Sequence, residues 1–238
     1  MRRFYAPIEN FAAEGVTLDA GETRHLRDVL RLDVGEDVSV FDGNGREFQC
    51  EIREITKKNS TLNVINEIKP ASRESEFEIT IAATVLNGEK YDMIVQKAVE
   101  LGVVTLVPLQ TIRCDVKAKD AGKRLDRWRR IALEATKQTG RARIMQIAEP
   151  VTFDLLIANA NEKIVLFSER DGEKFSTIKT GKKITAIFGP KGGWDDSELE
   201  SARSRGITMI TLGSRILRAE TAAIAITAIL QHRFGDLN

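Results

Sequence analysis

Ile207–Ala225 reads ITMITLGSRILRAETAAIA, two kinds of chain joined by a short break. Ile207–Leu212 is apolar and β-branched, the composition of a buried strand. Gly213 and Ser214 interrupt it, and Ala222, Ala223, Ile224 and Ala225 resume as a helix. Between the two, Arg215, Arg218, Glu220 and Thr221 crowd beside Ile216 and Leu217. A polar, glycine-bearing junction at the carboxyl end of a strand is where open α/β sheets place ligands.

The strand before it ends the same way. Lys183–Phe188, KITAIF, runs into Gly189-Pro190-Lys191-Gly192-Gly193-Trp194 and then into the polar helix start WDDSELESA. Asp195 is placed to cap that helix and Glu198, three positions on, to answer it. Trp194 and Leu199 stand where a hydrophobic staple forms. The glycines suit either a tight turn or backbone brought close to a ligand, because glycine has no Cβ in the way. The spacing matches neither G-x-x-x-x-G-K-[ST] nor G-x-G-x-x-G. Two such loops in succession point to one site, and Ile216 and Leu217 beside them suit a flat aromatic ring such as adenine.

Strand and helix patterns alternate through the whole second part of the chain. EITIAATVL, VVTLVPL, EKIVLFSE, KKITAIFG and GITMITLG read as strands; EKYDMIVQKAVELG, closed by Gly102, and AGKRLDRWRRIALEATKQTGR read as helices. This is the signature of an α/β domain with a mainly parallel sheet. The last helix, Arg218–Phe234, is apolar almost all round, so it is either central in the fold or half of a subunit interface. The first seventy residues are mostly β. DVSVFDGNGREFQCEIREI forms a hairpin about Asp42-Gly43-Asn44-Gly45, and STLNVINEI follows. GETRHLRDVLRL sets Leu26, Val29, Leu30 and Leu32 at helical spacing, with Arg24, Arg27 and Arg31 largely on another face. The expected division is a small barrel at 1–70, a polar linker at 71–77 and an α/β domain at 78–238.

Net charge is +1, but Arg113–Arg143 holds eleven Lys/Arg against four Asp/Glu, +7 in one block, which leaves −6 for the rest. Such a block is either a solvated helix face or a nucleic-acid surface. Cys50 and Cys114 are too few for a disulfide framework, and His25 and His232 lie too far apart for ligand spacing, so no metal is expected. MRRFYAPIEN lacks an apolar signal region, and Ala222–Leu230 is far too short to span a bilayer. A cytoplasmic protein with no membrane segment follows as the expectation.

FGPKGGW followed by LGSRILRAETAA resembles the paired signatures of the SPOUT superfamily of RNA methyltransferases. The similarity is greatest to the RsmE-type family, which methylates N3 of one uridine in 16S ribosomal RNA. RHLRDVLRL, QKAVELGV, EATKQTGR and FGDL resemble further segments of that family, so the likeness covers most of the chain. It departs at Lys191, where the family usually has glutamate, at Lys137, where an acid is common, and at Met145, where proline is common.

The resemblance implies an N-terminal PUA-like β-barrel and a C-terminal SPOUT α/β domain with a trefoil knot, working as a homodimer. It implies S-adenosylmethionine held by three loops: Leu166, Phe167 and Ser168; Phe188, Gly189, Pro190, Gly192 and Gly193; and Leu212, Gly213, Ile216, Leu217, Thr221 and Ala222. Arg218 is the expected catalytic cation, holding charge that develops on the base, with a structural ion pair to Glu220 as its plainer role. Glu220 either accepts a proton or orients Arg218. Thr221 is expected to cap the last helix or to touch the cofactor. Lys191 is expected to face solvent or phosphate, since a lysine beside a sulfonium is unfavourable. For the RNA of the small subunit, Arg2, Arg3, Arg24, His25, Arg27 and Arg31 form one surface. Lys123, Arg124, Arg127, Arg129, Arg130 and Arg141 form another. Trp128 is either a stacking platform or core. The competing readings are a SPOUT enzyme acting on another RNA and a non-catalytic RNA-binding ribosome-assembly module. A dinucleotide oxidoreductase is disfavoured by the missing G-x-G-x-x-G.

Overall fold

The computed structural model of the protein describes residues 2–13, 15–158 and 163–237. The chain divides into two compact units, Met1–Glu74 with Glu134–Ile144, and Ser75–Leu133 with Met145–Asn238.

In the first unit, β1 (Arg2–Tyr5), β2 (Phe11–Ala12), β3 (Gly15–Leu18), β4 (Asp37–Phe41), β5 (Glu47–Ile55) and β6 (Ser60–Ile68) form a sheet in the order β1-β4-β5-β6-β3-β2. All neighbours are antiparallel except β1 and β4. The hairpin expected at Asp42–Gly45 joins β4 to β5, and Asp42 Oδ1 accepts from the backbone of Asn44 at 2.7 Å and Arg46 at 3.1 Å. Phe4, Leu18, Leu26, Val38, Ile52 and Leu62 belong to the core of this unit. Helix α1 (Ala20–Arg24) starts at Asp19, whose carboxylate accepts from Glu22 N at 2.8 Å. It widens at once into a π-helical turn over His25–Val29. Because of that turn the four apolar residues do not share one face: Leu26 and Leu32 are buried, while Val29 is 65% exposed.

In the second unit the elements are β7 (Glu78–Thr84), α2 (Glu89–Glu100), β8 (Thr105–Gln110), α3 (Ala118–Gly122), α4 (Leu125–Thr139), β9 (Gln146–Ile147), β10 (Val151–Thr152), α5 (Phe153–Ala158), β11 (Ile164–Phe167), β12 (Glu173–Lys174), β13 (Lys183–Phe188), α6 (Asp196–Ser204), β14 (Thr208–Thr211) and α7 (Ala219–Phe234). From Glu134 on, α4 belongs to the first unit. The sheet order is β10-β8-β7-β13-β11-β14-β12, with β9 beside β8, and every pairing is parallel. Ile164–Phe167 is buried at every residue, as expected of a parallel strand covered on both faces. Helix α7 buries Ala223, Ile226, Thr227, Leu230 and Gln231, and leaves Ile224, Ala228 and Ile229 half-buried. Because β13 and β14 flank β11, the loops after all three open at the same end of the sheet.

Candidate active site

Those loops line one open cavity of about 280 Å³, just under the usual range for ligand clefts. Its floor is apolar. Phe167 and Phe188, neighbours on β11 and β13, stack with ring centres 5.4 Å apart, and Ile210, Leu212, Leu217 and Ile226 add aliphatic surface. Ser168 fixes the turn after β11: its N–H donates to Ile210 O at 2.9 Å, and its hydroxyl accepts from Arg170 N at 3.3 Å. Thr211 Oγ1 donates to Ser168 O at 3.1 Å.

The glycine loop after β13 is held from several sides. Trp194 is fully buried, its Nε1 donating to Phe167 O at 2.9 Å and its ring meeting Phe153 at 5.2 Å. A Cβ on Gly189 would lie 2.8 Å from that indole, so this glycine makes room for Trp194. Arg113 donates to Gly192 O at 3.3 Å and to Asp195 at 3.1 Å, and Arg170 donates to Trp194 O at 2.7 Å. The expected capping box forms. Asp195 accepts from Ser197 N at 3.1 Å, and Glu198 Oε2 accepts from Asp195 N at 3.1 Å. Glu198 Oε1 also accepts from Ile112 N at 2.9 Å. The Ser197 hydroxyl, then its backbone N–H, with Arg113 nearby, hold the Asp195 carboxyl below the usual aspartate range.

The loop after β14 is built differently. Gly213 has φ 67, the left-handed region, and a Cβ there would meet nothing within 4 Å. Ile216 is 80% exposed. Among the described residues, none of the side chains from Leu212 to Arg218 makes a hydrogen bond or ion pair. Arg218 is exposed at the N-cap position of α7; Leu217 and Ala219 on either side line the cavity, but neither Arg218 nor Glu220 does. Arg218 does not pair with Glu220, whose carboxylate lies 3.5 Å from Lys90 Nζ instead.

Of the expected cofactor residues, Phe167, Ser168, Phe188, Gly189, Pro190, Gly192, Gly193, Leu212, Gly213, Ile216, Leu217 and Ala222 line the cavity. Leu166 does not, being fully buried in the sheet's core, and neither does Thr221. Nor does Thr221 cap α7, because the helix begins two residues earlier at Ala219. Lys191 is exposed and lines the cavity. Glu169, Arg215 and the braces Arg113 and Arg170 were not among the expected site residues. Arg113 and Gly192 are 79 positions apart, and no local pattern announces such a contact.

Two of the expected RNA contacts are built into the first unit instead. Arg141 is buried and grips Glu74 at 2.7 and 3.0 Å; Arg3 grips Glu47 at 2.9 and 3.1 Å and donates to Thr136 O at 3.1 Å. Both guanidiniums are spent on internal acceptors, which removes them from a phosphate surface. Arg2, Arg24, His25 and Arg31 are exposed, and Arg27 pairs with Asp28 at 2.6 Å. In the second unit Trp128 is core, its ring tilted against Tyr91 with centres 4.5 Å apart and its Nε1 donating to Asp92 at 3.1 Å. Arg127 pairs with Asp92, Lys123 with Asp120, and Arg129 with Asp126 and Glu149. Arg124 and Arg130 have no ion pair among the described residues. Among those residues no group of three or more His, Cys, Asp or Glu could hold a metal ion, and no helix is long and apolar enough to cross a membrane.

The family model of an RNA methyltransferase domain matches residues 73–231, and that of an RNA methyltransferase PUA domain matches 18–65. A ribosomal RNA small subunit methyltransferase E of Aquifex aeolicus is 31% identical, across 90% of this chain and 93% of that protein. One of Bacillus subtilis is 30% identical across 96% of each. The crystal structure of a ribosomal RNA small subunit methyltransferase E from Neisseria gonorrhoeae, bound to S-adenosyl methionine, superposes over the whole of both chains with a TM-score of 0.90 and 32% identity.

Proposed function

The chain belongs to the ribosomal RNA small subunit methyltransferase E family, and on that premise we propose that it methylates N3 of one uridine in 16S RNA, using S-adenosylmethionine. The observation that carries this reading is the cavity lined jointly by both glycine-bearing loops at the carboxyl ends of β13 and β14. Its residues fit the cofactor: an apolar floor for an adenine, and loops whose bare backbone offers hydrogen-bonding groups. When bound, S-adenosylmethionine supplies an electrophilic methyl group.

The protein's task is to make a poor nucleophile react. Uridine N3 carries a proton, so methyl transfer needs that proton removed and the resulting charge on the base held. Arg218 holds it, as a cation that no carboxylate of the described structure neutralises. Glu220 takes up the proton, directly or through water. The loops position both partners, which contributes much of the rate. Arg2, Arg24, His25 and Arg31 on the first unit, and Arg124 and Arg130 on the second, bind phosphates without reading sequence.

The half-buried Ile224, Ala228 and Ile229 of α7 and the exposed Met93 of α2 support a homodimer. The proposal extends to a knotted chain path on family membership alone. We place the enzyme in the cytoplasm, acting on assembled small subunits in preference to naked RNA. Mass spectrometry of 16S RNA from a strain lacking the gene is the test. Loss of one methyl group at a single uridine, restored by the gene, is the expected result; an unchanged modification map defeats the proposal.

A further inference from the structure

Among the described residues three charged side chains line the cavity: Glu169, Lys191 and Arg215. The two cations are exposed and make no hydrogen bond or ion pair among the described residues. Glu169 is exposed as well, but its carboxylate lies against the protein. Its side chain is 26% exposed, and a Cβ built on Gly193 would fall 2.5 Å from its Oε1, so the carboxylate lies against the backbone of the glycine loop. Among the described residues its charged neighbour at ion-pair distance is Arg170, whose Nε is 3.4 Å from Oε1. That guanidinium is already engaged by Trp194 O at 2.7 Å and by Asp196 at 3.3 Å. Oε2 has no hydrogen bond among the described residues.

Oε2 is therefore open to a further partner, and a cationic ligand entering the cavity can supply one. The rest of the cavity's charge is positive, and a positively charged ligand entering it is repelled by Lys191 and Arg215. Among the described lining residues Glu169 is the acidic group that offsets this.

We propose that Glu169 receives the cationic centre of the methyl donor and makes the cavity prefer the charged sulfonium over the neutral thioether left after transfer. The inference rests on the methyltransferase reading above and assigns that site a device for product exchange. The donor arrives attracted to Glu169. Once its methyl has moved to the base nitrogen, the sulfur keeps the electron pair of the broken bond and becomes neutral, and the attraction ends.

Calorimetry on the full-length protein, with S-adenosylmethionine and S-adenosylhomocysteine titrated separately, tests this. Glu169→Gln is expected to weaken S-adenosylmethionine about tenfold, screening by the partial exposure included, and S-adenosylhomocysteine by less than about twofold. Glu169→Asp should restore part of the difference. Lys191→Glu, which adds a carboxylate to the same cavity, should move the ratio of the two affinities the other way. Thermal melts report whether each variant folds; if Glu169→Gln does not, the Lys191→Glu ratio decides. Equal weakening of both ligands, or an unchanged ratio, overturns the inference alone. A wild-type protein that binds neither ligand overturns the methyltransferase reading and this inference together.

Discussion

The loops Gly189–Gly193 and Leu212–Leu217 leave strands that flank β11 and line one cavity, yet they are built on opposite plans. The first is tied down by Trp194 beneath it, by Arg113 and Arg170 at its carbonyls, and by a capping box at its exit. The second has no side-chain hydrogen bond or ion pair among the described residues and exposes Ile216. The contrast separates two jobs. A ligand meeting the first loop finds backbone already in place, which reduces the ordering cost of binding. The second keeps Arg218 uncommitted for whatever charge appears in the reaction.

The largest expected effect comes from removing the foundation of the tied loop. Trp194→Ala should cost about 3–5 kcal/mol of stability in urea denaturation, since it empties a fully buried indole site. Arg218→Ala should leave stability and S-adenosylmethionine affinity near wild type while lowering turnover about a hundredfold, close to 2.7 kcal/mol of barrier. Calorimetry beside a methylation assay checks it, and an unchanged rate removes Arg218 from the mechanism. The sharpest comparison puts one substitution in each loop. Gly189→Ala drives a methyl into the indole and should cost about 1–3 kcal/mol. Gly213→Ala meets open space and bears only the left-handed backbone penalty, about 1 kcal/mol. Equal losses would erase the distinction between the loops.

The smallest effect is in pH. The folded Asp195 carboxyl is held below its ordinary value, so its contribution is complete above the unfolded value of 3.8 and is lost as pH falls through the folded one. The denaturation midpoints of wild type and Asp195→Asn should therefore differ at pH 7 and converge in acid below about pH 4. A constant gap would mean that the cap's charge plays no part.

Local signals carried the frame of this molecule. The five strand runs, the hairpin at Asp42–Gly45 and the capping box at Asp195 and Glu198 all formed, because each depends on side chains a few residues apart. That both loops meet, here as the lining of one cavity, was legible for the same reason, but what Gly189 is for was not. Its bare Cα accommodates a tryptophan of the protein, a fact visible only once the indole is folded back beneath it. Arg3 and Arg141 show the same limit from the other side. Their charge reads as a surface for RNA, and only the packed first unit reveals Glu47 and Glu74 as their partners. Nor does a linear reading report that Glu134–Ile144 joins the residues of the N-terminal unit. The π-helical turn at His25–Val29 escaped because 3.6-residue spacing presumes the helix that it interrupts.

The ties on the glycine loop also bear on the order in which the protein comes together. Arg113 and Ile112 reach Gly192, Asp195 and Glu198 across 79 to 86 residues of sequence, from the end of β8. Contacts of such sequence separation form late, after the loop closure that brings their ends together. The stretch from β13 through α6 therefore cannot hold its working shape as a hairpin-sized fragment or on an incomplete sheet. During refolding, helical signal should return before the capacity to bind a nucleoside ligand, and that capacity marks the moment at which β8 and β13 share one finished sheet.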